Sequence, residues 1–358
     1  MNLVSEVEDA FSLQGVLSHA IEHFVARDGQ KKMALAISNA IENGDALVVE
    51  ASTGVGKTFS YLVPALLSGE RTLLSTATKA LQDQLFGRDL PRLIKALKLP
   101  VRTALLKGRS SYLCLHRMEM ARQNSPLPEG VSARSLARVE QWSQVTRTGD
   151  LAELPGLDDR SPMIPFVTST RDSCLGSQCP RFRPCHVNLA RREAMAADVV
   201  VINHHLFFAD IAVRDSGVAE LLPTVRIAIF DEAHQLNETG IQFLGNNLTT
   251  GQLLDFSRDV LASGLRLARG LVDWLEVVGA AERSARKLRL CVGQHLTGAK
   301  LRWTDETPEG LADCDWLAAL KSVHTACLQA CAALDMVSEI SPDFLRLRER
   351  GSQLVKRV

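Results

Sequence analysis

Short apolar runs alternate with longer segments of mixed polarity along the first half of the chain. Ala46-Leu-Val-Val-Glu50 is a continuous apolar run of buried-strand type. Arg71-Thr-Leu-Leu-Ser75 and the stretch from Thr103 to Leu106 predict two more strands. Asp198-Val-Val-Val-Ile202 and Val225-Arg-Ile-Ala-Ile-Phe230 predict a further pair. Residues 5–43 have helical patterning, with a turn near Asp28-Gly29. Phe59 to Leu67 and Thr78 to Phe86 are also patterned as helices. Buried strands alternating with helices predict an α/β domain with a parallel sheet.

The pattern breaks over residues 107–195, which hold four cysteines, several prolines and glycines and no strand periodicity. This segment is expected to be an insertion between two parts of one sheet domain, residues 1–106 and 196–239. From residue 240 to 358 the chain is rich in Leu, Ala and Arg and is expected to be helical. It contains no internal repeat and no low-complexity tract.

Composition narrows the function. Of 358 residues, 46% are hydrophobic and 23% charged, as in an ordinary globular protein. The 41 basic and 41 acidic residues cancel, so any nucleic-acid contact must come from local basic patches. No apolar run is expected to reach the roughly 20 residues of a membrane span. The acidic start, Met1 to Glu8, does not resemble a secretory signal, so a reducing cytoplasm is expected.

Candidate chemistry lies in the loop after the first strand. Ala51-Ser-Thr-Gly-Val-Gly-Lys-Thr58 matches a phosphate-binding P-loop, with Ala in place of the first Gly. Gly54 and Gly56 let the backbone approach phosphate, and Ser52, Thr53 and Val55 complete the cradle before the helix N-terminus. Lys57 should reach the β- and γ-phosphates of ATP, and the Thr58 hydroxyl should ligate Mg²⁺. Downstream, the run ending at Phe230 leads straight into Asp231-Glu-Ala-His234. A strand ending in an acid puts that carboxylate at the edge where α/β sheets bind ligands. Asp231 is the candidate Mg²⁺ ligand and Glu232 the candidate base for the attacking water. Helix capping is the alternative for both acids, and the upstream P-loop weighs against it.

Eight cysteines in a reducing compartment need a reason other than disulfides. Cys114, Cys174, Cys179 and Cys185 are separated by 59, four and five residues. Pro180 and Pro184 stiffen the loop between ligands, and His186 is a neighbouring alternative ligand. Four thiolates suit either tetrahedral zinc or a cuboidal iron–sulfur cluster, and spacing does not decide between them. The other four, Cys327 and Cys331 among them, fit a helical core. Arg171, Arg181, Arg183, Arg191 and Arg192 crowd the cysteine loop, and Lys107, Arg109, Arg117 and Arg122 flank Cys114. Such patches can neutralise phosphates, and Tyr112 and Phe182 are candidates to stack on unpaired bases.

These residues together resemble superfamily 2 helicases of the XPD/DinG group. Arg27-Asp-Gly-Gln30 stands where that family places an adenine-reading glutamine, which makes Gln30 a candidate nucleotide contact. Thr76-Ala-Thr-Lys-Ala-Leu-Gln-Asp-Gln-Leu85 looks like the motif that touches single-stranded DNA. Lys107-Gly-Arg-Ser-Ser-Tyr-Leu-Cys114 looks like the segment with the first cluster cysteine, and Val201-Ile-Asn-His-His-Leu206 like the segment before the DEAH motif. The resemblance implies a RecA-like motor domain, an inserted [4Fe–4S] domain held by Cys114, Cys174, Cys179 and Cys185, and a helical arch over 240–358. It also implies ATP-driven 5′ to 3′ movement on single-stranded DNA, with replication or repair proteins as unidentified partners. No second α/β motor domain is visible in the sequence. The expectation is therefore a fragment or truncated product, or a second domain supplied from elsewhere. A remnant that binds DNA or a partner without turnover is the alternative.

Overall fold

The computed structural model describes residues 2–21, 24–25, 27–52, 54–123, 132–158, 161–214, 221–293, 300–303 and 306–358. Four short, largely apolar segments form strands: β1 (Thr72–Thr76), β2 (Thr103–Leu105), β3 (Val199–Asn203) and β4 (Ile227–Phe230). All pair in parallel, in the order β2-β3-β1-β4. Parallel sheets need both faces covered, and β1 and most of β3 are buried accordingly. The helices Asp28–Asn43 and Lys57–Leu67 pack together beside the sheet. Leu62, Val63 and Leu66 share a core with Leu74, Val199 and Val201. The α/β character with a parallel sheet agrees with the sequence.

Two expectations need correction. Ala46–Glu50 is not a strand. The segment is exposed, with Val48 at 96%. Apolar composition makes a strand only when a neighbour completes its hydrogen-bond ladder, and among the described residues nothing pairs with this one. The second correction concerns apolar length. Asp315–Asp335 is helical, long enough and apolar enough to cross a bilayer by length and composition. Here it is a core helix, burying Ala319, Val323, Cys327, Ala330 and Leu334. Its apolar character therefore has a packing explanation.

The chain divides into two compact units, Met1–Gly108 with Val187–Gly245, and Arg109–His186 with Asn246–Val358. The first holds the sheet. The second is helical, and it combines the cysteine-bearing segment with the C-terminal helices that sequence patterning treats separately. Its main core gathers Phe256, Val260, Trp274, Val323 and Phe344, with the Trp274 and Phe344 rings stacked at 5.8 Å. A smaller core under the cysteine segment holds Leu113, Met118, Val139, Met163 and Val167.

Polar side chains join these two parts of the helical unit. Arg117 Nη2 lies 3.0 Å from Asp259 Oδ1, and Arg350 Nη1 lies 2.8 Å from Asp259 Oδ2. His116 Nε2 lies 3.0 Å from Asp343 Oδ1. Arg346 donates to the backbone carbonyls of Asp172 and Arg171 at 2.9 and 2.6 Å. The Arg117–Asp259–Arg350 group is largely buried, so removing its only carboxylate strands two cations in low dielectric. Asp259→Ala is expected to destabilise this unit by about 3–5 kcal/mol. Denaturant unfolding followed by tryptophan fluorescence checks this, and an unchanged midpoint contradicts it.

Candidate nucleotide site and cysteine cluster

The loop before the helix Lys57–Leu67 bends through left-handed backbone at Gly54 (φ 84°) and Gly56 (φ 92°). Glycine is required twice over at position 56. A Cβ there would stand 2.4 Å from Gln30 Nε2, besides the strain of its φ. Gln30 is buried and donates from Nε2 to the Gly56 carbonyl at 3.1 Å. Ser60 Oγ donates in turn to the Gln30 carbonyl at 3.1 Å. The glutamine is thereby fastened to the back of the loop. A cleft of about 440 Å³ opens here, lined by Phe24, Arg27, Gln30, Gly54, Thr58 and Arg88 among others. The Phe24 and Phe59 rings stack at 6.0 Å at its edge. Ser52 is exposed and Val55 half-buried in the loop. Thr53 lies outside the described residues.

The acids come from the end of β4. The Asp231 amide donates to the Ser75 carbonyl at 2.9 Å, extending the β1 pairing by one residue. Asp231 Oδ2 accepts from Tyr61 Oη at 3.2 Å and Oδ1 from the Glu232 amide at 3.1 Å. Burial, and then the Glu232 charge, raise the Asp231 carboxyl above the usual carboxylate range. Burial, and then Asp231, push the Tyr61 hydroxyl far up, so it remains a donor at neutral pH. Glu232 takes left-handed backbone (φ 57°, ψ 44°), unusual for a residue with a Cβ. Its carboxylate lies between Lys57 Nζ at 3.4 Å and His234 Nδ1 at 3.5 Å. Lys57 Nζ also donates to the Ala51 carbonyl at 3.4 Å.

Lys57, Asp231 and Glu232, with Thr58 beside Tyr61, thus converge although 170 residues separate the two segments. Three participants escape sequence reading. Tyr61 follows Thr58 by three residues, one helical turn on, and that spacing is the signal that could have found it. Ser75 and His204 touch each other across neighbouring strands, a pairing that only the strand order reveals.

Cys114, Cys174, Cys179 and Cys185 are all free and partly buried. Cys114 feels the charges of Cys179 and Cys174, and Cys179 those of Cys174 and Cys185, which places the four in one neighbourhood. Burial pushes the Cys114 thiol up to about 11, and burial also raises Cys179. Arg109 Nη1 donates to Cys174 Sγ at 2.9 Å. Among the described residues no three His, Cys, Asp or Glu side chains stand in metal-holding geometry. The donor set nevertheless fits a four-thiolate centre in kind and number. His186 is buried and has no hydrogen bond at Nδ1. Cys327 is buried in the helical core, as patterning suggested.

The basic patches are smaller than the sequence suggested. Lys107 is buried against Asp83 at 2.6 Å, and Arg117 is committed to Asp259. Arg122 pairs with Glu140 and Arg181 with Glu119. Tyr112 is only 3% exposed, so it is a core residue and not a stacking platform. Phe182, Arg171, Arg183 and Arg192 remain exposed.

The chain is similar to several known proteins. The DEAD/DEAH box helicase family model matches residues 30–125. An ATP-dependent DNA helicase, YoaA of Haemophilus influenzae, is 48% identical over 260 residues, covering 73% of this chain and 41% of that protein. YoaA of Escherichia coli is 45% identical over 290 residues, covering 80% and 45%. The ATP-dependent helicase DinG of Mycobacterium tuberculosis is 40% identical over 250 residues, covering 63% and 37%. A solved truncated XPD is similar with a TM-score of 0.39 and 14% identity over 92% of this chain and 82% of that one, too slight a likeness to add weight. The chain spans less than half the length of the curated relatives it matches. With its phosphate loop and Asp231-Glu-Ala-His234 segment in place, the chain carries a DEAD/DEAH box helicase domain and is homologous to the YoaA and DinG helicases over most of its length.

Proposed function

We propose that this chain supplies the ATP-binding part of a DNA helicase that couples ATP hydrolysis to movement on single-stranded DNA. One observation carries the reading: Lys57, Asp231 and Glu232 meet at the mouth of the phosphate loop. Lys57 is the ligand of the β- and γ-phosphates, and its present partner Glu232 gives way to them. Gln30, which lines the same cleft, would read the adenine edge, and the Phe24–Phe59 pair would offer the base an apolar surface. Thr58 and Asp231 would hold Mg²⁺, which neutralises phosphate charge when bound. Asp231 suits that task, since a half-buried carboxylate beside a second acid gains from a divalent cation. Glu232 orients and deprotonates water. Single-stranded DNA should accelerate ATP hydrolysis, and Glu232→Gln should abolish that acceleration. Hydrolysis indifferent to DNA contradicts the reading.

The sheet unit is on this view RecA-like, the cysteine-bearing segment an inserted cluster domain, and the C-terminal helices an arch. Cys114, Cys174, Cys179 and Cys185 would hold a [4Fe–4S] cluster. The support is four neighbouring free thiols, a donor set that suits such a cluster in kind and number. Thiols raised by burial keep their protons until a cation displaces them, so loading should release protons. Anaerobically purified chain should carry about four irons, and Cys179→Ser should lose them. Stoichiometric zinc in the parent contradicts the cluster.

Among the described residues there is a single parallel sheet. That observation favours a second reading, in which this chain by itself binds DNA or replication or repair partners without turnover. Glu232-dependent hydrolysis separates the two.

A further inference from the structure

His204 is the most completely enclosed titratable side chain beside the nucleotide site, at 0% exposure. It begins the helix His204–Arg214, immediately after β3. Its Nδ1 lies 2.7 Å from Ser75 Oγ on the adjacent strand β1. The Ser75 carbonyl in turn accepts the Asp231 amide at the end of β4. The imidazole ring sits 6.2 Å from the Phe230 ring. The carbonyls of Asp231 and Glu232 lie near enough to favour its protonated form, although Nε2 makes no well-directed hydrogen bond. Burial outweighs them and holds the ring neutral. If Ser75 donates to Nδ1, the neutral ring keeps Nε2–H as the donor available to those carbonyls.

The three strand ends therefore meet around one side chain. That matters because Glu232 stands in left-handed backbone, which is strained for a residue with a Cβ and persists only when its surroundings impose it. On the reading of Glu232 as the base, we propose that His204, braced by Ser75, is a positioning residue that fixes the backbone at Asp231-Glu232 and so aims the Glu232 carboxylate at the attacking water. It does not touch the nucleotide.

The test uses the full chain in excess over Mg·ATP, so that a single turnover is followed, with nucleotide affinity measured separately. His204→Ala and Ser75→Ala are each expected to slow hydrolysis by about tenfold to a hundredfold, the scale of a small misplacement of a catalytic group. Their Mg·ATP affinity should stay within about twofold of the parent, because Lys57 and the loop are untouched. In a Glu232→Gln background neither substitution should slow the residual rate further, because the group they position is gone. If His204→Ala does not fold, Ser75→Ala, which keeps the ring, carries the test alone. Parental rates in the foldable variants, affinity falling in step with rate, or equal slowing in the Glu232→Gln background would each overturn the inference. A parent whose hydrolysis is unaffected by Glu232→Gln overturns the underlying reading of the site, and the inference with it.

Discussion

Lys57→Ala is expected to weaken Mg·ATP binding by about a hundredfold or more while leaving the fold intact. On the proposed reading the ammonium would contribute charge-assisted hydrogen bonds to two phosphates, each worth about 1.5–3 kcal/mol, and a tenfold change costs about 1.4 kcal/mol. Its present contacts are modest by comparison. The pair with Glu232 is 3.4 Å apart and partly exposed on both sides, so it adds little to stability. The substitution also leaves the Gln30–Gly56 contact and the buried face of the helix Lys57–Leu67 undisturbed. Titration with a fluorescent ATP analogue, beside a thermal melt, checks both halves. Unchanged affinity removes Lys57 from the phosphate site.

The second large effect concerns turnover. The 358-residue chain by itself should hydrolyse ATP slowly and separate no strands. Phosphoryl transfer in P-loop enzymes gains about a thousandfold or more from an arginine that closes on the γ-phosphate. In the two-domain motors that this family resembles, that residue comes from the second domain. The described residues hold one parallel sheet, with Lys57 as the cation nearest Glu232. Movement along a strand further needs two bodies that open and close on nucleotide. A strand-displacement assay on a 5′-tailed duplex, with Glu232→Gln as control, is the check. Unwinding by the parent that disappears in the control contradicts the expectation.

Much of the sheet was legible because its strands lie in short apolar runs set between helical and turn-forming segments. Thr72–Thr76, Val199–Asn203 and Ile227–Phe230 each fall within a residue or two of their expected positions. Ala46–Glu50 carries the same composition but lies open, since pairing belongs to the neighbour as much as to the segment. The motif residues were legible for a different reason. Lys57 and Asp231 are fixed by local order, glycines before a helix and an acid after a strand, and local order survives in one dimension. What was not legible is pairing in space. Lys107, Arg117 and Arg181 looked like a free basic surface, and each has an acid partner distant in sequence, 24, 142 and 62 residues away. Tyr112 looked like a stacking ring and lies in the core. The buried Ser75–His204 contact joins residues 129 apart and has no sequence signature.

The phosphate loop, with Gln30 and Asp231, should hold Mg·ATP. Isothermal titration of the parent chain with ATP, with and without Mg²⁺, tests it most directly. One ATP per chain should bind, more tightly with Mg²⁺ than without, and competition by ADP should follow because the phosphate loop and adenine side serve both nucleotides. No saturable heat from ATP in the presence of Mg²⁺, with the chain folded, would contradict the account.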